Sequence, residues 1–286
     1  MIHHPLFAQN QPTVIGMIHF SPLEGHADCP GKDVVLDRAR KDLDTLLAGG
    51  VNAILFENNF DFPKRETLLP ETAAHFEELV QNLTPISVPW GIVALWNDYR
   101  LGFRLCAQYG GIMVRVPTFA DSSETAYGLF AANPDAVLKA RRDANAERVL
   151  ILADVQVKHA KPVPPRPFAE SLEDTIQRGA DAVIVTGAWT GDEPNLDQCR
   201  VAHKISAGRV PVLTGSGMTA ENVSDYAPCV DGFIVGTAFK AGAVNRGKRT
   251  GPNIVPAERR YDLARVRAFM DAVMACPPRP PRTTTK

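Results

Sequence analysis

The chain has no run of about 18 consecutive apolar residues, which is close to the shortest length that a membrane-spanning helix requires. Positive and negative side chains nearly balance, at a formal net charge of −1, which does not favour a polyanionic partner. The first ten residues lack the basic and apolar regions of a signal peptide. We therefore expect a cytoplasmic protein without a transmembrane segment and without a nucleic-acid partner.

Cysteine pairs with metal-ligand spacing are also missing. Five cysteines are scattered along the chain, and none belongs to a Cys-x-x-Cys pair: Cys29, Cys106, Cys199, Cys229 and Cys276. An odd and dispersed set is typical of a reduced compartment and argues against a structural zinc site. We expect no metal and no cofactor.

The glycine-rich turn of dinucleotide-binding proteins is absent as well. Such sheets place a Gly-x-Gly-x-x-Gly turn directly after their first strand. Here the first predicted strand, residues 13–19, continues into Phe20, Ser21 and Pro22. A doubly wound sheet is therefore disfavoured.

Strands and helices alternate along most of the chain. Apolar runs predict strands at residues 13–19, 51–56, 90–96, 112–116, 148–155, 182–185, 210–213 and 232–235. Helical patterns lie at residues 34–48, 70–83, 99–109, 134–144, 168–178, 196–206, 220–226 and 261–274. Eight such units predict a single-domain (β/α)8 TIM barrel over residues 13–276. Residues 1–12 would form an N-terminal extension and residues 277–286 a disordered tail.

Small residues follow the last strands of this barrel. The seventh strand opens into Gly215, Ser216 and Gly217, and the eighth into Gly236 and Thr237 before a short helix predicted at 238–241. Glycine lets backbone N–H groups approach an anion, and TIM barrels commonly bind phosphate at these two loops. With Thr186 and Gly187 after the sixth strand, these turns predict a phosphate site.

Polar side chains end most of the other strands, on the face where TIM barrels carry their active sites. The candidate catalytic residues share this position: His19, Glu57, Asn97, Arg115, Asp154 and Lys158. Packing alone does not explain such a series, although each residue has a simpler interpretation. His19 could merely fill the barrel mouth, Glu57 could be an ion-pair partner of Arg115 or Lys158, and neighbouring Asp98 is expected to cap the third helix.

Acid/base chemistry assigns roles within this group. Glu57 and Asp154 would act as acid and base, with Lys158 keeping a nearby carboxylate ionised as the base. The more enclosed carboxylate would be the acid, its pKa raised by burial. Arg115 and His19 would orient the substrate or stabilise developing negative charge.

Several motifs resemble those of one known family. They run from about residue 14 to 274 and include Gly16-Met17-Ile18-His19, Glu57-Asn58 with Asp61 and Pro63, Asn97-Asp98, the run at 151–160, Thr186-Gly187, Gly215-Ser216-Gly217 and Gly236-Thr237. Together they resemble the BtpA/SgcQ family of (β/α)8 barrels. Ser21 and Glu24 stand where prolines are more usual in that family, and residues 117–127 lack a usual asparagine.

The resemblance implies two different kinds of role. BtpA was named for photosystem I biogenesis, whereas SgcQ-like members look like enzymes of sugar or nucleoside metabolism. Relatives have been likened to phosphoribosylanthranilate isomerase, which agrees with a phosphate site.

Three functional hypotheses follow. The first is an isomerase, lyase or nucleosidase acting on a small phosphorylated sugar- or nucleotide-like compound, and we expect this enzyme to form a homo-oligomer. The second is a non-catalytic biogenesis factor of the BtpA type. The third is a metal-dependent hydrolase with His19, Glu57, Asp154 and His159 as ligands, but such barrels usually begin with a His-x-His pair that this chain lacks.

Overall fold

A computed structural model describes residues 4–242 and 256–279. Within these residues the strands are β1 Thr13–His19, β2 Ala53–Glu57, β3 Trp90–Val93, β4 Met113–Val116, β5 Ser122–Thr125, β6 Gly128–Phe130, β7 Leu150–Val155, β8 Ala160–Val163, β9 Ala182–Thr186, β10 Val212–Gly215 and β11 Gly232–Val235. The helices are α1 Lys32–Gly49, α2 Pro70–Leu83, α3 Tyr99–Tyr109, α4 Pro134–Asp143, α5 Phe168–Gln177, α6 Leu196–Ser206, α7 Val223–Tyr226 and α8 Leu263–Ala275.

Eight parallel strands close into a barrel, which confirms the predicted fold. Their order around the barrel is β1, β2, β3, β4, β7, β9, β10 and β11, and β11 pairs with β1 to complete the ring. Every residue of these strands is buried, because side chains on one face fill the barrel and those on the other pack against the helices. The apolar runs in the sequence follow from this double burial.

Alternate residues of each strand point to the barrel axis. The resulting inner core contains Ile15 and Met17 from β1, Ala53 and Leu55 from β2, and one or two residues from each of the other barrel strands. A larger apolar cluster fills the layer between strands and helices. Because the side-chain period is two, the next inward residues beyond Met17 and Leu55 are His19 and Glu57.

The N-terminal segment belongs to the barrel rather than extending from it. Pro5–Phe7 forms a 3₁₀ helix whose Leu6 and Phe7 are buried in the inner core with Ile15. The Thr13 hydroxyl donates a hydrogen bond to the Leu6 carbonyl. This helix closes the end of the barrel opposite the carboxyl ends of the strands.

Arg279, which falls within the predicted tail, bonds to the rest of the fold. Its guanidinium lies 2.6 Å from the Asp231 carboxylate, and its backbone N–H donates to the Asn10 carbonyl at 2.9 Å. A proline- and arginine-rich composition does not reveal such a long-range ion pair. Residues 280–286 lie outside the described residues.

A small antiparallel sheet covers part of the barrel mouth, where the sequence predicted only loops. β5 pairs with β6 and with β8, so the loops after the fourth and fifth barrel strands are joined. The strands are three or four residues long, and β8, one of the two partners of β5, lies far along the chain. The strands are too short to show a periodic pattern in the sequence, and β5 and β8 are too far apart along the chain to form a local hairpin.

The short helices near the predicted phosphate site also differ from expectation. The segment after Gly236 forms a 3₁₀ turn, Thr237–Phe239, instead of a helix over 238–241. The helix predicted at 220–226 is reduced to α7, because the Asn222 carboxamide oxygen accepts the Thr219 N–H and holds the preceding residues in a turn. The two short segments that directly follow the glycine turns therefore supply no helix N-terminus of useful length.

The barrel-closing helix predicts a measurable stability difference between two leucines. Leu6 is 5% exposed and Leu129 on β6 is 62% exposed. We expect Leu6→Ala to lower the free energy of unfolding by about 2–5 kcal/mol and Leu129→Ala to change it by no more than about 0.5 kcal/mol. Urea unfolding of both variants measures this, and equal losses would show that residues 5–7 do not contribute to the core.

Candidate active site

His19 and Glu57 form a buried pair at the carboxyl ends of β1 and β2. Their strands place them side by side, and His19 Nε2 lies 3.1 Å from Glu57 Oε2. Burial raises the pKa of Glu57, but the hydrogen bond from His19 and the positive charges of Lys158 and Arg115 outweigh it, and the pKa falls to about 2. Burial lowers the pKa of His19. His19 therefore donates its Nε2–H to an ionised carboxylate.

Glu57 consequently differs from the expected acid with a raised pKa. It is indeed enclosed, at 5% exposed, but the cations and the histidine around it favour the charged form. An ionised carboxylate accepts protons. The site chemistry open to Glu57 in its resting form is that of a base.

The Arg115 guanidinium holds Asp154 in a two-pronged ion pair. Arg115 Nε lies 2.7 Å from Asp154 Oδ1, and Nη2 lies 2.8 Å from Oδ2. Burial disfavours the charge of Arg115, but Asp154 more than compensates and raises the pKa of the guanidinium. The Asp154 side chain is fully buried behind Arg115 and does not line the cavity of the barrel mouth, so its carboxylate is placed to hold Arg115.

Lys158 lies between these two pairs. Its backbone N–H donates to the Thr186 hydroxyl at 3.2 Å, which fixes the loop after β7. Burial and the charge of Arg115 lower the pKa of the Lys158 ammonium to about 8, against the opposing influence of Glu57 and Asp154. The side chain can therefore exchange a proton near neutral pH.

Asn97 and Asp98 hold the loop after β3. The Asn97 carboxamide donates to the Thr118 carbonyl at 3.0 Å and accepts the Thr118 N–H at 3.1 Å. Asp98 caps α3 by accepting the Leu101 N–H, which confirms that expectation. Asn97 does not line the cavity among the described residues, so its geometry is that of a clamp between two loops.

The predicted phosphate-site residues divide into two groups. Ser216, Gly217, Gly236 and Thr237 line a cavity of about 290 Å³ together with His19, Glu57, Arg115 and Lys158. Thr186 and Gly187 line a second cavity of about 1170 Å³ on the other side of Lys158. Gly215 lies between them in β10, packed close to Ile184 and Thr186. The two groups meet where the Gly187 N–H donates to the Ser216 hydroxyl.

Two glycines are also required for packing. Gly217 has a φ of +66°, and a Cβ there would lie 2.3 Å from the Asp192 carbonyl oxygen. A Cβ on Gly236 would lie 2.5 Å from Cε1 of His19. Gly236 therefore gives the imidazole the room that its pairing with Glu57 needs.

Sequence reasoning missed one cationic residue of the site. Arg265, in the first turn of α8, lines the same cavity as Ser216 and Gly217. A cationic residue at the start of the helix after the eighth strand was the available signal. The structure also gives Asn58 and Asp61 a bracing role, because they bond to each other and to the backbone of Leu95 and Leu23.

The ligand set of the metal-hydrolase hypothesis is not assembled. Both Asp154 oxygens bond to Arg115, and His159 Nε2 lies 2.8 Å from the Thr190 hydroxyl. In residues 4–242 and 256–279 no three His, Cys, Asp or Glu side chains are close enough together to hold a metal ion. No helix within these same ranges has the length and apolar character needed to cross a bilayer.

The closed ring of eight parallel strands with alternating helices defines a TIM barrel, with polar side chains on its carboxyl-terminal face. A solved phosphoribosylanthranilate isomerase from Pyrococcus furiosus has a similar fold, with a TM-score of 0.52, 14% identity, and coverage of 92% of this chain and 98% of that one.

The chain belongs to the BtpA family, whose model matches residues 10–274. An uncharacterized protein of Pyrococcus abyssi is 37% identical over 258 residues, covering 88% of this chain and 95% of the relative. The photosystem I biogenesis protein BtpA of Synechocystis is 33% identical over 270 residues, covering 93% of this chain and 89% of that protein. The family expected from the sequence motifs is thereby confirmed.

The low pKa of Glu57 predicts how stability depends on pH. A carboxylate whose folded pKa lies below its ordinary 4.5 stabilises the fold above about that pH, and the contribution is lost as the pH falls toward 2. We expect wild type to lose more unfolding free energy than Glu57→Gln between about pH 5 and about pH 3. Urea unfolding at both pH values measures the difference.

The exposed Glu147 provides a matched control for this measurement. Glu147→Gln should retain the acid dependence of wild type. Identical acid dependence in wild type and Glu57→Gln would contradict the pairing with His19.

Proposed function

We propose that the protein is an enzyme acting on a small phosphorylated sugar- or nucleotide-like compound by acid/base chemistry of the isomerase, lyase or nucleosidase type. The observation that carries the proposal is one cavity with two chemically different walls. One wall has the Glu57 carboxylate, Lys158 and Arg115, and the other has the turns after β10 and β11. A ligand between them would present its anionic end to the turns and its reacting atoms to the carboxylate.

Backbone N–H groups would hold the phosphate. In the described part of the chain, the N–H groups of Ser216, Gly217 and Thr237 donate no hydrogen bond to protein, so they remain available to an anion. Gly236 completes the cradle. The Arg265 guanidinium at the edge of the cavity would supply a full positive charge.

Glu57 would act as the base. It is ionised, and the hydrogen bond from His19 fixes its carboxylate at the wall of the cavity, within reach of a ligand. Lys158 would contribute a side chain that can gain or lose a proton near neutral pH, because its pKa is lowered to about 8. Arg115 would contact developing negative charge, while Asp154 and Asn97 would act as positioning residues.

A second candidate function comes from the Synechocystis relative, which is named a photosystem I biogenesis protein. In that case the chain would assist assembly of a membrane complex, and proton transfer at Glu57 would be unnecessary. The buried charges of the barrel mouth favour the enzyme, because an ionised carboxylate in the barrel interior is costly and has no packing role that an apolar side chain could not fill.

Phosphate binding predicts different effects for two arginines of α8. Arg265 lines the cavity, whereas Arg267, also exposed on the same helix, does not. With inorganic phosphate as the probe, we expect Arg265→Gln to weaken binding about tenfold and Arg267→Gln to leave it unchanged. Calorimetric titration at low ionic strength measures both. Equal affinities for the two variants would remove Arg265 and the adjoining turns from the proposed site.

The role of Glu57 separates the enzyme from the assembly factor. Wild type would be screened for turnover against a panel of sugar phosphates and nucleotides. On any compound that reacts, we expect Glu57→Gln to lose about a hundredfold or more in kcat, because the amide cannot accept a proton. Glu147→Gln is the control, and both variants would be assayed where circular dichroism shows them folded. Full activity of Glu57→Gln would exclude it as the base.

A further inference from the structure

Burial lowers the pKa of three lysines to about 8: Lys64 and Lys240, which are buried, and Lys158, which is partly exposed. They differ in what their ammonium groups contact. Lys64 donates to the carbonyls of Asn58 and Asn59 at 2.8 and 3.0 Å, and Lys240 donates to the Arg259 carbonyl at 3.1 Å.

Lys158 has no such partner. Across residues 4–242 and 256–279 its Nζ makes no hydrogen bond and no ion pair within 4.0 Å. The nearby carboxylates are already engaged, because Glu57 is bonded by His19 and Asp154 by Arg115. A lysine that existed only to neutralise the barrel mouth would be expected to pair with one of them.

The position of Lys158 also sets it apart from the other two lysines. It lines the cavity of about 290 Å³ with the turns after β10 and β11, and it lines the second cavity of about 1170 Å³. It also lines a smaller cavity of about 50 Å³ that it shares with Glu57 and Lys64. An amine at the junction of these spaces is accessible to a ligand in either large cavity.

We propose that Lys158 is a covalent catalytic residue that forms an imine with a carbonyl carbon of the ligand. The inference rests on the proposed enzyme function and narrows its substrate class to phosphorylated aldehydes and ketones, including open-chain forms of sugar phosphates. Amines become nucleophilic when they are desolvated or lie next to another cation, and Lys158 meets both conditions beside Arg115.

Formation of the imine needs only the Lys158 ammonium and the carbonyl group of the ligand. The ammonium of Lys158 releases one proton, and the free amine adds to the carbonyl carbon, whose π electrons move to oxygen. The oxygen takes one proton from the nitrogen, which gives a carbinolamine. The oxygen then takes the proton released earlier and leaves as water, while the nitrogen lone pair forms the C=N bond. Ammonium and carbonyl thus give iminium and water with the charge unchanged.

The iminium then withdraws electrons from the neighbouring carbon. Glu57 lines the same cavity as an ionised base, so a C–H or an O–H bond beside that carbon can lose its proton to the carboxylate. Loss from C–H leads to isomerisation, and loss from a hydroxyl one carbon further leads to cleavage of a C–C bond. The imine therefore favours an isomerase or a lyase over a nucleosidase.

The reactivity of the amine is tested first with formaldehyde, a carbonyl probe that needs no recognition, followed by cyanoborohydride. Peptide mass spectrometry of the intact folded protein gives a rate for each lysine. At neutral pH we expect Lys158 to be alkylated several-fold faster than the exposed Lys204, and Lys64 and Lys240 more slowly than either. A rate for Lys158 at or below that of Lys204 would overturn the proposal.

The second test uses dihydroxyacetone phosphate and unphosphorylated dihydroxyacetone, each with borohydride, which adds hydride to the iminium carbon and leaves a stable secondary amine. We expect labelling at Lys158, and its loss in Lys158→Arg, which keeps the charge but cannot form the imine. Lys158→Met provides a second variant should the arginine disturb the fold.

The two compounds separate the imine from the phosphate cradle. Faster labelling by the phosphorylated compound, slowed by Arg265→Gln, supports both proposals. Equal labelling by the two compounds supports the imine and contradicts the phosphate site. Competition by dihydroxyacetone phosphate for the inorganic phosphate site without labelling of Lys158 would leave the phosphate site standing and exclude the imine.

Discussion

The closed parallel barrel forces charges from different strands into one small volume. Alternate side chains of every strand point to the axis. An inward-pointing polar residue at the carboxyl end of one strand therefore lies near the inward-pointing polar residues of the other strands. Such charges are tolerated inside a protein only when they are paired or hydrogen-bonded. Arg115 with Asp154 and His19 with Glu57 satisfy this requirement, and they leave Lys158 without a fixed partner among the described residues.

Much of the barrel could be predicted from the sequence, because double burial leaves long apolar runs that end in polar residues. The inward direction of His19, Glu57, Arg115 and Asp154 follows from the same two-residue period. Their pairing could not be predicted, since it depends on the register between neighbouring strands and on side-chain geometry. The low pKa of Glu57 is therefore a property of the closed ring and not of the local sequence.

Other features depend on contacts between distant segments. Asn97 bonds to the backbone of Thr118, which any residue could have supplied, so its sequence context carries no sign of the clamp. β5 and β8 are too short to stand out in the sequence, and their pairing joins segments that lie far apart along the chain. The sequence placed glycines at the barrel mouth, but it gave no sign of two packing requirements. Gly236 leaves room for the His19 ring, and Gly217 leaves room for the backbone of Asp192.

The ends of the described chain meet at the face opposite the site. Arg279 bonds to the carbonyls of Gln9, Asn10 and Gln11 while Leu6 and Phe7 close the barrel there. Circular permutation generally succeeds where two ends lie close together at a surface away from the functional loops. The barrel can therefore be joined at this seam and reopened elsewhere, or tethered to a support at this face, with the cavity at the opposite end still facing solution.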